Sequence, residues 1–289
     1  MNRLRFLKLE FCIEATQDYR SRGFVGNKVR GAIGQAMVHL FCPERNPLCV
    51  DCTFEGGCIY SDVFKPVRKH PEFTSLPVPF VIGVAELDRE VISKGERSVF
   101  SVTLFGEAVR YKQHLVEVVK TVFRDVKWGF SKHFTLVEIF SQAEKKVLWA
   151  MEDCFEEDMI RESVWTDDFE NRLEKKKRGL ELIIRFKTPL LTKNNMHLTW
   201  GFSEFIDALF YRIAGMIDVY EDREFVIPYA VLHRKPYVIA TSFLEGDRFE
   251  LLFKGDMEQY LPYIQLGEYL HLGKKTTYGF GEYFCIFPE

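Results

Sequence analysis

Nothing in this 289-residue chain reaches the unbroken apolar length that a bilayer crossing needs. The opening run Met1-Asn2-Arg3-Leu4-Arg5-Phe6-Leu7-Lys8 alternates as a strand does and lacks the apolar stretch of a signal peptide, so the expected location is the cytoplasm. A basic excess is missing too. The formal net charge is −3, which argues against a protein that coats nucleic acid indiscriminately by neutralising phosphates, yet leaves room for a local basic groove. The common nucleotide loop is also absent. A Walker loop needs four residues between its glycines and Ser or Thr after Gly-Lys, whereas here Gly267 and Gly273 enclose five and Lys275 follows Lys274. What is present is a globular composition, 47% hydrophobic and 28% charged, with 27 phenylalanines that suggest sheet-rich packing around aromatic cores.

The length suits two domains of ordinary size. Residues 4–14 alternate as a strand, and Gly26 to Leu40 reads as a helix because Val29, Ile33, Ala36, Met37 and Leu40 recur at helical spacing. After a cysteine-bearing excursion, residues 79–86 and 98–105 read as strands, Gly106 to Phe123 as a helix and Phe134 to Phe140 as a strand. The run from Lys145 to Arg178, ending in Glu174-Lys175-Lys176-Lys177-Arg178, loses strand periodicity and reads as a connector with a small hairpin. A second series follows: a strand at 180–187, a helix at 202–220, strands at 236–243 and 247–254, a short helix at 257–261 and a last strand at 278–287. Both series run βαββαβ. The expected fold is therefore α+β, a tandem of ferredoxin-like (RRM-like) domains with a cysteine-rich insertion in the first, bounded at 1–144, 145–178 and 179–289. Such sheets and loops commonly hold splayed single-stranded bases, although fold alone assigns no function.

Two clusters carry chemistry. Cys42, Cys49, Cys52 and Cys58 stand in the spacing C-x6-C-x2-C-x5-C, while Cys12, Cys154 and Cys285 are scattered. Four clustered thiols suit one tetrahedral structural site, most simply zinc, with an iron–sulfur cluster of equal ligand count as the alternative. Unliganded thiols in a loop are the bland reading. The second cluster runs from Leu266 to Tyr283, where four glycines surround Lys274 and Lys275. Glycines at positive φ, with successive N–H groups and lysines beside them, can cradle phosphate oxygens, or can simply turn the chain into a final strand. A basic groove could also draw on Arg20, Arg22, Lys28 and Arg30.

The residues Leu270-His271-Leu272-Gly273-Lys274-Lys275-Thr276-Thr277-Tyr278-Gly279-Phe280-Gly281 resemble the C-terminal glycine-rich motif of the CRISPR repeat-cleaving endoribonucleases, the Cas-six branch of the RAMP superfamily. Arg30-Gly31-Ala32-Ile33-Gly34, Thr103-Leu104-Phe105-Gly106-Glu107-Ala108 and Phe186-Lys187-Thr188-Pro189-Leu190 look like further stretches of that family, in the expected order. The resemblance implies a tandem ferredoxin-like fold and metal-independent cleavage of precursor CRISPR RNA within its repeats, with no cofactor for catalysis. The 2′-hydroxyl would attack the scissile phosphate, leaving a 2′,3′-cyclic phosphate and a 5′-hydroxyl. CRISPR repeat RNA and crRNA are the implied partners, and delivery to a CRISPR effector complex is a further expectation. RNA contacts are expected at Arg22, Lys28, Arg30, Gly273, Lys274, Lys275, Gly279 and Gly281. Lys275 departs from the family pattern, which commonly has a small residue there.

Transesterification asks for a base, an acid and positive charge near the phosphate. Family members commonly use a histidine on or near the first helix, with tyrosine or lysine help, which points here to His39 and Tyr19. At 100° per residue Lys28, Ala32, Gln35 and His39 share a helix face. Lys28 and His39 lie about 16 Å apart along the axis, so they cannot serve one phosphate. His39 equally suits a capping role at the helix end. His271, inside the glycine motif, is the rival candidate or an orienting residue. His70, His114, His133, His197 and His233 have no comparable setting. Beside the nuclease stand two other readings: a noncatalytic RAMP subunit that binds crRNA, and a zinc hydrolase, which four cysteines disfavour by leaving no open metal position.

Overall fold

The computed structural model describes residues 1–45, 49, 52, 57–66, 76–143, 145–150, 160–167, 181–192, 200–221, 223–227, 237–244, 248–255 and 257–288. They form two compact units, Arg5–Ser163 and a second made of Met1–Leu4 with Val164–Glu289.

In the first unit, β1 (Arg3–Ala15) alternates buried and half-buried residues, sending Leu9, Phe11 and Ile13 into the core. β2 (Tyr19–Arg20) is a two-residue bridge to β4 (Val91–Ile92). α1 (Gly26–Phe41) buries Val29, Ile33, Ala36 and Met37, the stripe that the spacing predicts. β3 (Phe80–Gly83), β5 (Arg97–Phe105), α2 (Lys112–Arg124), β6 (Phe134–Ser141) and β7 (Lys146–Ala150) complete the unit, and β8 spans Ser163–Thr166. The sheet order is β3-β5-β1-β6-β7, with neighbours antiparallel. Phe11 faces Phe100 across β1 and β5, their rings stacked at 5.1 Å. α1 and α2 pack together over a core that joins Ile33 and Met37 to Val118, Val119 and Phe123. The stretch read as a connector thus begins with β7, paired to β6, while 168–180 lie outside the described residues.

The second unit holds β9 (Glu181–Phe186), α3 (Phe202–Tyr220), β10 (Tyr237–Leu244), β11 (Arg248–Lys254), α4 (Leu261–Leu270) and β12 (Tyr283–Ile286). Its sheet order is β10-β11-β9-β12, again antiparallel. Phe186, Phe205, Phe249, Phe253 and Tyr283 form an aromatic core. The sequence reading placed a short helix at 257–261 and a glycine-rich turn from Leu266. Instead α4 runs to Leu270, with Pro262 in its first turn, where the missing N–H costs nothing. Gly267 is therefore helical. A Cβ there would overlap Tyr283 Oη, whose hydroxyl donates to Ile264 O at 2.7 Å, so the glycine seats α4 against β12. The last strand is correspondingly shorter than 278–287, because Thr276–Tyr278 is a 3-10 turn.

Candidate nucleic-acid interface

The polar face of α1 borders two clefts in the first unit. Two 3-10 turns, Val126–Trp128 and Phe130–Lys132, follow α2 and are joined by Gly129 at φ 82°. They set Trp128 and His133 beside α1. One cleft, about 390 Å³, is lined by Tyr19, Lys28, Gln35, Trp128, Phe130 and His133. The other, about 670 Å³, is lined by Arg30, His39, Arg45, Tyr60, Lys127 and Trp128 among others. Gly31, Gln35 and Trp128 border both. The helix face inferred from spacing is the one that borders the clefts: Lys28, Ala32 and Gln35 line the first and His39 the second, with Gly31 beside them on both.

Lys28 Nζ donates to Tyr19 Oη at 3.2 Å and lies 5.4 Å from the centre of that ring. The His133 ring stands edge-on to Tyr19 at 5.4 Å. Gln17 Nε2 is 3.0 Å from His133 Nδ1 and 2.9 Å from Lys132 O. An amide N–H donating to Nδ1 leaves the imidazole proton on Nε2. Tyrosine, lysine and histidine thus meet in one cleft. Sequence reasoning set His133 aside because, unlike His39 and His271, it stands in no motif or helix face of interest. The missing signal is sheet register: β1 pairs with β6 so that Ala15 faces Phe134, and Thr16 N donates to His133 O at 2.8 Å.

His39 is exposed near the end of α1, edge-on to Trp128 at 5.9 Å. The Lys127 ammonium lies 4.8 Å from the Trp128 ring centre, and Arg30 sits over Phe64 at 4.1 Å. Arg22 is exposed before the helix and lines neither cleft. The arrangement combines imidazoles, cations and rings along one surface, which suits a polyanion carrying planar bases.

The structure does not support the expected centre at the four cysteines. Cys42 is the buried C-cap of α1, its N–H donating to Val38 O, while Cys52 is exposed. Cys58 O receives the Asp62 N–H at the start of the turn Tyr60–Phe64. Burial raises the Cys49 pKa, and its neighbours Cys58, Cys42 and Cys52 raise it further. Tetrahedral coordination needs four sulfurs about 2.3 Å from one point. Among the described residues no group of three or more His, Cys, Asp or Glu side chains is gathered to hold a metal, so structural zinc or an iron–sulfur cluster is not supported. Helix end and turn fix Cys42 and Cys58 locally, whatever the spacing suggests.

In the second unit the glycine-rich segment is built largely on its own backbone. Gly273 and Gly281 have φ of 84° and 70°, and Cβ atoms there would collide with Leu191 O and Leu272 O. These glycines admit the protein's own chain, which is a different use from admitting a ligand. The N–H groups of Leu272, Lys274, Gly279 and Gly281 donate to Gly281 O, Leu191 O, Thr276 O and Pro189 O. Thr188 Oγ1 donates to Gly279 O at 2.7 Å and accepts from Glu282 N at 2.9 Å. The run of successive open donors is thereby reduced, while the side chains of Lys274 and Lys275 remain exposed. His271 is buried at 4% exposure with φ 54°, inside the loop.

Arg212, on α3, was not singled out by sequence. Its Nε donates to Leu270 O at 3.0 Å and its Nη2 to Thr276 Oγ1 at 2.7 Å, bracing the loop at both ends. The side chain keeps partial exposure, but its guanidinium is deep enough that desolvation lowers the pKa to about 10.

Comparison with known proteins now bears on this geometry. Residues 184–283 match the family described as CRISPR-associated endoribonuclease Cas6, and residues 4–163 match a family described as the AF_1859 N-terminal domain. The C-terminal part of the chain, residues 184–283, belongs to the Cas6 family. An uncharacterized protein of Archaeoglobus fulgidus is 23% identical over 180 residues, 62% of this chain and 60% of that relative. Among solved structures, a Cas6 product complex matches with a TM-score of 0.52 at 13% identity, over 98% of this chain and 99% of that one. A partial Cas6-RT-Cas1–Cas2 complex matches with a TM-score of 0.62 at 9% identity, over 99% of this chain but 46% of that polypeptide. At such identities the likeness is one of fold. Among the described residues no helix is long and apolar enough to cross a membrane.

Proposed function

We propose that this chain is an endoribonuclease that cleaves precursor CRISPR RNA within its repeats, without a metal ion. Both units are read as ferredoxin-like, since each runs βαββαβ and orders its four main strands second, third, first, fourth. The observation that carries the activity is the convergence of Tyr19, Lys28 and His133 in a cleft, with His39 on the adjoining one. A neutral imidazole takes the 2′-hydroxyl proton as the O2′–P bond forms. The P–O5′ bond breaks, O5′ receives a proton from an acid, and Lys28 offsets the charge that builds on the phosphoryl oxygens. The products are a 2′,3′-cyclic phosphate and a 5′-hydroxyl. Lys274 and Lys275 hold RNA by phosphate contacts, and the processed RNA passes to a CRISPR effector complex in the cytoplasm.

A noncatalytic crRNA-binding role is the second reading, favoured by the burial of His271 within the glycine loop. Incubation of the purified chain with repeat RNA in EDTA, followed by analysis of the product ends, separates the two. Cyclic-phosphate ends support the nuclease. Tight binding without cleavage, with or without EDTA, replaces it with the second reading.

A further inference from the structure

α1 contains two interior glycines, and only one has a structural explanation. A Cβ at Gly34 would overlap the Phe64 ring, so the helix needs glycine there to approach the turn Tyr60–Phe64. A Cβ at Gly31 would meet nothing within 4 Å. Gly31 has no close contact to permit and its φ is not in the left-handed region, yet glycine is the poorest helix former after proline. It occupies the floor common to both clefts. Backbone left bare at such a point lets another molecule approach the helix directly.

The surroundings state what that molecule is. Rings of Trp128, Tyr60 and Phe130 and cations of Lys28, Arg45 and Lys127 line the two clefts, and among the described residues no Asp or Glu lines either. Each cleft falls within the volume range of small-ligand sites. Aromatic walls with cations at the rim match a planar base joined to a phosphate. Paired A-form RNA offers instead a shallow groove of hydroxyls, read by shape, with its bases stacked out of reach.

We propose that the groove over Gly31 is a subsite for an unpaired nucleotide of bound RNA, with the base seated against Trp128 and the backbone of α1 approached at Gly31. The proposal rests on the RNA-binding reading above and adds to it a strand state and a position. Lys127 and Arg45 hold the flanking phosphates.

The test uses the full chain, wild type and the variants Gly31→Ala and Gly31→Leu. The probes are repeat RNA, a short single-stranded oligouridylate, an abasic strand of the same length and a fully paired RNA duplex. The wild type is expected to favour oligouridylate over the abasic strand by about 5- to 150-fold, the range that one stacked base commands. Gly31→Leu is expected to lose that preference while melting at or above the wild-type temperature, because its side chain enters empty space and improves the helix. Gly31→Ala is expected to melt higher with a smaller binding loss. A Gly31→Leu variant that binds oligouridylate as the wild type does overturns the subsite. So does equal wild-type affinity for abasic strand and oligouridylate, or a Gly31→Leu chain that fails to fold, since the open space would then be absent. If the wild type binds repeat RNA while any of these results holds, the subsite alone falls. If it binds no repeat RNA, the functional reading falls with it.

Discussion

Arg212 offers a sharp separation of global stability from local order. Desolvation lowers its pKa from the ordinary guanidinium value to about 10, which corresponds to an unfavourable contribution of about 3 kcal/mol. The sign follows from proton binding: between those values the unfolded chain holds the proton more tightly, so the destabilisation is complete below about pH 10 and eases only above it. Against it stand two charge-assisted hydrogen bonds, to Leu270 O at the end of α4 and to Thr276 Oγ1, worth about 1.5–3 kcal/mol each. Arg212→Met removes the desolvation cost but leaves two buried acceptors unpaired, giving a net loss of about 1–3 kcal/mol. For a unit of this size that is a fall of roughly 2–12 °C in melting temperature. The local effect should be larger. Amides of 274–281 are expected to exchange faster while those of β9 and β11 keep their protection, and repeat-RNA affinity should drop. Arg212→Lys, which keeps the charge but loses the planar fork, should recover stability better than RNA affinity. Unchanged exchange in the loop together with unchanged RNA affinity in Arg212→Met would refute the bracing role.

Lys274→Ala and Lys275→Ala should each weaken repeat-RNA binding and flatten its dependence on salt, since every lost phosphate contact releases fewer condensed counterions; titrations at several ionic strengths measure the slope. Single-turnover cleavage by His133→Ala and His39→Ala should show which imidazole transfers protons, with a loss of about 10²- to 10⁴-fold in the variant that lacks it and binding retained. If both cut at the wild-type rate, proton transfer belongs to other groups. Gly267→Ala should destabilise the second unit by about 1–3 kcal/mol through overlap with Tyr283 and Leu209, read by thermal melting.

Periodicity revealed what periodicity controls. The alternation in 4–14 and the stripe Val29, Ile33, Ala36 and Met37 located β1 and α1 because each buries one face against a single core. α4 was hidden because glycine usually marks a turn, whereas Gly267 serves close packing inside a helix, a distinction set by Tyr283 on a different element. Lys28 and Tyr19 were legible as local neighbours of α1. His133 was not, since its approach to Tyr19 depends on how β1 and β6 pair. The cysteine spacing is a different case: among the described residues no group of three or more metal-ligating side chains is gathered, so the sequence signal there stands without structural support.

The glycine loop is tied to the segment after β9 by a ladder in which Lys187 N meets Glu282 O, Gly281 N meets Pro189 O and Lys274 N meets Leu191 O, at 2.7, 2.9 and 2.7 Å. A loop fixed in this way has already surrendered its conformational entropy when the chain folds. Its part in capturing a polyanion is then one diffusive step, governed by charge and ionic strength, with no later closure to wait for. At this loop, association should appear as a single phase whose rate rises linearly with RNA concentration, and differences between RNAs should be expressed in how long each one stays.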